Sequence, residues 1–472
     1  MSAETTDDTD DTRRRAAPPP CIALAVVWCA DPSRVGDVLL LDDEPRVFGR
    51  GEPAADDPLA RVLLVRQRPY ETRDAPPLEL SALSRVQLEL RPSGGALQVK
   101  NLGRRPLLDA EGAERPHLDV AIGDCFEVRG QVVFLRIERP RRLPPLRNLP
   151  APAAAFGAAD EHGIVGESPV AWTLRDQCAF VAPRDAHVLV LGESGSGKEL
   201  VAQAIHAASK RGKRPMVSRN AATIPSGIVD AELFGNVANY PNPGTPERRG
   251  LVGESDGSTL FLDEIGELAE DLQVRLLRVL DERGEYQRLG EARPRTSNLR
   301  LIGATNRPLA SLKHDVAARF RLRLRVPGLD ERREDIPLVA RHLLQRIALK
   351  DHDIRARFFD GPAEAPVPRL ASDLVRALVR HGYRTHCREL DAILWHAIAT
   401  SAEDVLELTP EVEEDLGRGE RASAAHRSPT EVTADDVRAA LERANGVQEK
   451  AWRDLGLASR YVLKRLIAKY GI

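Results

Sequence analysis

The chain has 472 residues, of which 42% are hydrophobic and 29% charged, with a formal net charge of −3. That length calls for two to four domains at about 100–200 residues each. The near-neutral balance excludes binding of nucleic acid through overall charge and leaves only a local patch for it. Cys21, Cys29, Cys125, Cys178 and Cys387 form no CxxC pair. Their odd number and spacing exclude a disulfide framework and a zinc site, and fit a reducing cytoplasm.

Residues 1–20 run from acidic to basic to Pro-rich and are expected to be a disordered tail. The apolar stretch 21–30 follows a short basic run, as a signal peptide would. Prolines 18–20 and the acidic start argue against that, and the stretch falls far short of the roughly 20 residues of a membrane helix. It reads as a buried strand, and no membrane contact is expected. Across 21–139, short apolar runs (38–41, 62–65, 86–90, 97–99, 132–137) alternate with turn signals, the pattern of an all-β sandwich. Residues 140–162 are rich in Pro and Ala and read as a linker.

From 163 to 330 apolar strands at 187–191, 216–218, 259–262, 299–304 and 322–326 alternate with helical stretches, which predicts a parallel α/β sheet. Residues 331–402 read as helical, 403–430 as a second polar linker, and 431–472 as a small all-α domain of three helices.

Gly192-Glu193-Ser194-Gly195-Ser196-Gly197-Lys198 fits GxxxxGK, between a predicted strand and a predicted helix. Glycines there let backbone N–H groups close around phosphates, the helix N-terminus adds its dipole, and Lys198 reaches the β- and γ-phosphates of ATP. Glu199 stands where a Ser or Thr magnesium ligand is usual. About 65 residues on, the apolar strand 259–262 ends in Asp263 and Glu264. These suit a Mg2+ ligand and a carboxylate that polarises the attacking water.

These motifs, with Glu232-Leu-Phe-Gly235, Leu276-Leu-Arg-Val-Leu280, Ala304-Thr-Asn-Arg307 and Arg332-Arg-Glu-Asp-Ile-Pro337, resemble the sigma-54-dependent activators over roughly 164–400. The resemblance implies an AAA+ P-loop domain with a helical lid at 331–402. Asn306 is similar to the sensor I residue, Asn220 to the switch asparagine that restrains Glu264, and Arg388 to the sensor II arginine. Glu199 after the P-loop lysine is usual in that family. Homo-oligomeric rings, commonly hexameric, are implied, with arginine fingers supplied by the neighbouring subunit.

Two segments depart from the pattern. The first of the two finger arginines is Lys313, and the second is Arg319. Lysine is a point charge without the planar fork of arginine, so slower hydrolysis is expected. Arg321, Arg323 and Arg325 read as the solvated face of a strand. The polymerase-contacting Gly-Ala-Phe-Thr-Gly-Ala aligns with Asn239-Tyr240-Pro241-Asn242-Pro243-Gly244. Contact with sigma-54 RNA polymerase is thereby in question, with Tyr240 as a substitute anchor.

At the C-terminus, 447–472 carries six basic and two acidic residues in helix–turn–helix proportions. It resembles a Fis-type domain, with Ser459, Arg460 and Lys464 as candidates for contacts to double-stranded DNA. At the N-terminus, Phe48-Gly-Arg50, Ser84-Arg85 and Asn101-Leu-Gly103 resemble a forkhead-associated domain. That implies a phosphothreonine partner bound by Arg50, Ser84 and Arg85. Gln87 stands where that family has a structural histidine, and Pro106 near its usual asparagine. A sandwich kept for dimerisation or for contact with the ATPase is the alternative. Three functions follow: a sigma-54 remodelling ATPase, a DNA-binding regulator that binds ATP without remodelling polymerase, or a phosphopeptide-responsive scaffold.

Overall fold

A computed structural model describes residues 20–150, 154–225, 227–362, 364–423 and 433–443, with 467 and 470. The tail 1–19 and most of the C-terminal segment, with Ser459, Arg460 and Lys464, lie outside the described residues. The chain divides into two units, one of 1–26 and 37–145 and one of 27–36 and 146–472.

The first unit is β-rich. The apolar stretch at 21–30 is a strand, as its composition predicts. The strands are β1 Cys21–Cys29, β2 Val38–Leu40, β3 Arg46–Phe48, β4 Val65–Arg68, β5 Glu71–Asp74, β6 Leu88–Ser93, β7 Ala96–Asn101, β8 Leu107–Leu108, β9 Glu114–Arg115, β10 His117–Val120, β11 Cys125–Val128 and β12 Val132–Arg139. One sheet runs β5-β4-β2-β1-β12-β11-β8-β9 and a second β10-β7-β6-β3. Alternation buries Leu88 and Leu90, and Leu97 and Val99, on one face of the second sheet. The two sheets meet where the Phe48 ring stands edge-on to Phe134, centroids 5.3 Å apart.

In the second unit, α1 (Pro169–Val181) starts on Ser168, whose hydroxyl accepts from the Ala171 N–H with Pro169 in the first turn. Then come β13 (Val188–Leu191), α2 (Lys198–Ala207), β14 (Val217–Asn220), α3 (Val229–Phe234), α4 (Gly250–Glu254), β15 (Thr259–Asp263) and α5 (Glu270–Leu280). A small antiparallel hairpin, β16 (Glu285–Tyr286) and β17 (Arg295–Thr296), precedes β18 (Arg300–Thr305), α6 (His314–Arg319) and β19 (Leu322–Arg325). The main sheet is parallel in the order β14-β15-β18-β13-β19. Its three central strands, β15, β18 and β13, are near-continuous apolar runs because both of their faces are covered, whereas the edge strands β14 and β19 carry polar residues. The first strand, β13, lies between later ones. The order therefore reverses at β13, and the carboxyl ends of the strands there are where such sheets bind ligands.

The helical part comprises α7 (Ile336–Ala348), α8 (His352–Phe358), α9 (Ser372–Arg380), α10 (His386–Thr400) and α11 (Pro410–Ser423), with α12 (Ala434–Arg443) farther on. Asp335, almost fully buried, accepts from the N–H groups of Glu167 and Ser168 and from the Ser168 hydroxyl. This carboxylate ties the start of the lid to the start of the α/β sheet.

Two expectations need correction. The stretch 403–430 is not all linker, because it contains α11. Val412 and Leu416, four residues apart, bury one side of that helix, and two apolar positions are too sparse a stripe to register by composition. Similarly, residues within 140–162 are fixed in place: the N–H groups of Asn148 and Leu149 donate to the Asp176 carboxylate.

Candidate phosphate-transfer site

The loop Gly192–Gly197 leaves the carboxyl end of β13 and feeds directly into α2. Gly195 and Gly197 hold φ of 75° and 103°, a region that side chains rarely adopt. The Lys198 side chain is 7% exposed. Its ammonium donates to the carbonyls of Gly192 and Glu193 at 2.9 and 3.1 Å, and Glu264 Oε1 lies 3.8 Å away. Burial pulls its pKa below the usual lysine range, against the raising effect of Glu264 and Asp263. A buried cation with two loop carbonyls and one distant carboxylate fits an anion bound in the loop. Ser196 is buried and bonds back to the Glu193 carbonyl. Glu199 is exposed and accepts from Gln203 one turn along the helix, away from the acids.

Asp263 ends β15, and Glu264 follows with φ 50°. A non-glycine residue there carries a cost of about 1 kcal/mol. The Glu264 N–H donates to Asp263 Oδ1 at 3.0 Å, and Glu264 Oε2 accepts from the Asn306 N–H at 3.2 Å. Asn306 thus meets Glu264 through its backbone. Asn220 departs from expectation: its amide lies 3.5 Å from Asp263 Oδ2 rather than restraining Glu264, and its side-chain oxygen accepts from the Ala222 N–H. The reason lies in the register. Asn220 pairs with Asp263 across β14 and β15, one residue short of Glu264. Among the described residues no group of three His, Cys, Asp or Glu side chains is placed to hold a metal. Asp263 would be a single protein ligand to Mg2+, a cation that commonly takes its other ligands from phosphates and water.

The lid reaches this loop at the start of α10. Arg388 donates to the Ser194 hydroxyl at 3.0 Å, and the Cys387 N–H to the Gly195 carbonyl at 3.1 Å. Loop and lid are so close that a Cβ on Gly195 would lie 2.0 Å from the Thr385 carbonyl oxygen. His386 is buried between them and contacts Glu193. The sequence reading missed His386 and Glu193 as a pair, although Glu193 stands in the motif itself.

Arg319 is elsewhere. It ends α6, just before β19, and β19 runs parallel to β13 with Val188 opposite Leu322. It therefore lies at the amino ends of the strands, about 13 Å of strand below the P-loop. There it pairs with Asp281 at 2.9 Å in a cleft of about 1130 Å³ that also exposes Arg278, Arg283 and Arg321. Lys313 pairs with Glu270 at 3.1 Å. In β19, Leu324 is buried while Arg323 and Arg325, with Arg321 just before the strand, are exposed, as expected of a solvated face. Arg323 donates to the Ala317 carbonyl, and Arg325 pairs with Glu331.

The loop 239–244 is built into its surroundings. The Asn239 N–H donates to the Thr245 carbonyl, and the Asn236 amide to the carbonyls of Val237 and Pro246. The strand hairpin lies alongside: Val237 N–H donates to Leu289, Leu289 N–H to Gly235, and Arg288 pairs with Glu247 and Glu291. The Tyr240 ring covers Gly290, where a Cβ would be 2.7 Å from the ring. Pro241, Asn242 and Pro243 form the exposed rim.

In the β-rich unit the loops after β3, β5 and β7 converge. Arg50 N–H donates to the Ser84 carbonyl, and the Ser84 hydroxyl accepts from the Arg104 N–H. Gln87, fully buried, accepts from the Ser84 N–H and donates to Asn101 and to the Arg105 carbonyl. Arg61 braces the back of the cluster: it pairs with Asp57, whose carboxyl it holds at about 2, and donates to the carbonyls of Arg50 and Arg85. Arg85, Arg104 and Arg105 are exposed around Ser84. Arg104 and Arg105 were not among the predicted residues.

Residues 164–329 match the Sigma-54 interaction domain. The chain is 36% identical over 323 residues to the transcriptional regulatory protein ZraR of Escherichia coli (strain K12), covering 65% of this chain and 69% of that protein. It is 36% identical to the Nif-specific regulatory protein of Azotobacter vinelandii, covering 65% and 58%. Among solved structures it is similar to NtrX from Brucella abortus in complex with ATP, at 26% identity and a TM-score of 0.45, covering 67% and 70%. With a P-loop, strand-end acids and helical lid in one α/β unit, and with the match to ZraR over 69% of that protein, the chain belongs to the family of sigma-54-dependent transcriptional regulators.

Proposed function

We propose that the protein is an ATP-dependent, DNA-binding transcriptional regulator that hydrolyses ATP between subunits of a ring and acts on sigma-54 RNA polymerase. The observation that carries this reading is the convergence of buried Lys198 with Asp263, Glu264 and the Asn306 N–H at the carboxyl ends of β13, β15 and β18. Lys198 and the loop N–H groups bind the phosphates. Asp263 would hold Mg2+, which would supply charge neutralisation to the phosphates. Glu264 accepts the proton of the attacking water, and Arg388 faces the phosphates from the lid. Arg319 lies too far down its own sheet to reach that site, which supports its use in a neighbour's.

A second reading keeps ATP and DNA binding but not remodelling. It is favoured by the loop 239–244, which offers prolines and an asparagine at its rim while Tyr240 lies against Gly290. The basic loops around Ser84 support phosphothreonine recognition by a forkhead-associated type of domain in either reading. A Fis-type domain at 431–472 supplies the DNA contact, and a cytoplasmic setting agrees with the absence of any helix, among the described residues, long and apolar enough to cross a membrane.

Transcription from a sigma-54 promoter with purified components decides between the two. Remodelling gives open complexes that need ATP and vanish with Glu264→Gln. Open complexes only after grafting Gly-Ala-Phe-Thr-Gly-Ala over 239–244 establish the second reading, and none with either chain overturns the first.

A further inference from the structure

His386 sits where three pieces of the second unit meet, and each contact has a direction. It is the first residue of α10, 3% exposed, and its φ of 43° is left-handed. That backbone turn aims the ring at the junction between sheet and lid. Nδ1 accepts from the Leu329 N–H at 3.2 Å. A backbone N–H only donates, so in the neutral ring the proton resides on Nε2. Nε2 faces Glu193 Oε2 at 3.2 Å. The ring also lies close against Gly328, where a Cβ would be 2.3 Å from Cε1. One imidazole therefore bonds the junction through Leu329, the lid through its own helix, and the P-loop through Glu193.

The next residue shows what the lid does to the loop. The Cys387 N–H holds the Gly195 carbonyl. In a trans peptide the C=O and the following N–H point in opposite directions. Drawing the Gly195 carbonyl toward the lid therefore turns the Ser196 N–H away from it, where that N–H donates to the Glu193 carbonyl at 3.3 Å and closes the loop on itself. Phosphate binding in such a loop needs N–H groups facing the anion and carbonyls facing away. Residues 385–388 brace the loop from outside, and the Glu193 and Gly195 bonds are both made by consecutive residues at the start of α10.

We propose that His386 is a positioning residue for nucleotide binding: it clasps Glu193 to the sheet–lid junction, so that lid position and P-loop conformation are set as one. This rests on the reading of the P-loop as an ATP site. His386 touches no phosphate in this scheme and acts through Glu193 and the adjoining Cys387 N–H. The carboxylate of Glu193 is largely exposed, so its loss leaves the packing of the unit intact.

The test uses the full chain and a fluorescent ATP analogue with Mg2+. Lys198→Ala serves as the control for the site itself, and abolished binding there is expected. His386→Ala and Glu193→Ala are each expected to weaken binding about fivefold, the scale of one partly exposed charge-assisted hydrogen bond. The double variant should be no weaker than either single one, because both remove the same clasp. His386→Gln, which keeps a donor near the Nε2 position, should recover part of the loss. In hydrolysis, KM should rise with kcat per assembled site nearly unchanged. Unchanged binding with Glu193→Ala overturns the proposal even where His386→Ala fails to fold, and so does additivity of the two losses. Unchanged binding with Lys198→Ala overturns the nucleotide reading instead, and the clasp with it.

Discussion

Gln87 is fully buried, and its amide oxygen accepts from the Ser84 N–H while its nitrogen serves Asn101 and the Arg105 carbonyl. It links the loops that carry the basic cluster, where the forkhead-associated pattern has histidine. An amide does not change charge near neutral pH, so this junction stays the same where an imidazole would titrate. Gln87→Ala leaves those partners unsatisfied in the interior, at a cost of about 2–3 kcal/mol. Hydrogen exchange across 84–105 of the full chain should accelerate markedly, with exchange in β13 and α2 unchanged. Individual residues differed in how far sequence revealed them. Lys198, Asp263 and Glu264 were legible because a phosphate site demands those types at that spacing. The target of Asn220 was not, because a one-residue difference in strand register decides it. The role of His386 was not legible either, since it depends on a left-handed backbone angle that no neighbouring glycine announces.

The eleven predicted strands fell near observed ones because buried strands are apolar throughout and half-buried ones alternate, both of which show in the sequence. Short polar-faced elements such as α11 did not show. The loop 239–244 was legible as a departure in composition, but its docking on the hairpin was not, since the joining side chains come from segments about 40 residues apart. Arg288 is the pin, being almost fully buried between Glu247 and Glu291. Arg295 and Arg288 together hold the Glu291 carboxyl at about 2. A carboxyl lowered in the folded state contributes while ionised, so the link is complete at neutral pH and is lost only as pH falls toward 2. Arg288→Ala should expose 239–247 to limited proteolysis about tenfold faster without altering ATP-analogue affinity. Unchanged cleavage would show that Tyr240 and the backbone bonds hold the loop without it.

At the scale of the whole chain, the surplus of basic residues after 447 is what the proposed DNA contact rests on, in a molecule of net negative charge. A chain ending near residue 431 should lose binding to double-stranded DNA. In the full chain the affinity should fall linearly on a log–log plot as salt rises, because bound counterions are released. Retention of specific binding by the shortened chain would place the contact elsewhere. Within the second unit, Lys198 and Arg319 lie at opposite ends of the same sheet, with Arg319 held by Asp281. In the proposed ring no chain would complete its own site, and that arrangement would reach into heredity. In a cell carrying one sound gene copy and one encoding Glu264→Gln, every mixed ring has boundaries at which a sound finger faces a dead pocket. The damaged allele then behaves as dominant, and output falls faster than gene dosage. Two different damaged alleles, one altered at Glu264 and the other at Arg319, restore part of the output when present together, since some boundaries pair a sound pocket with a sound finger.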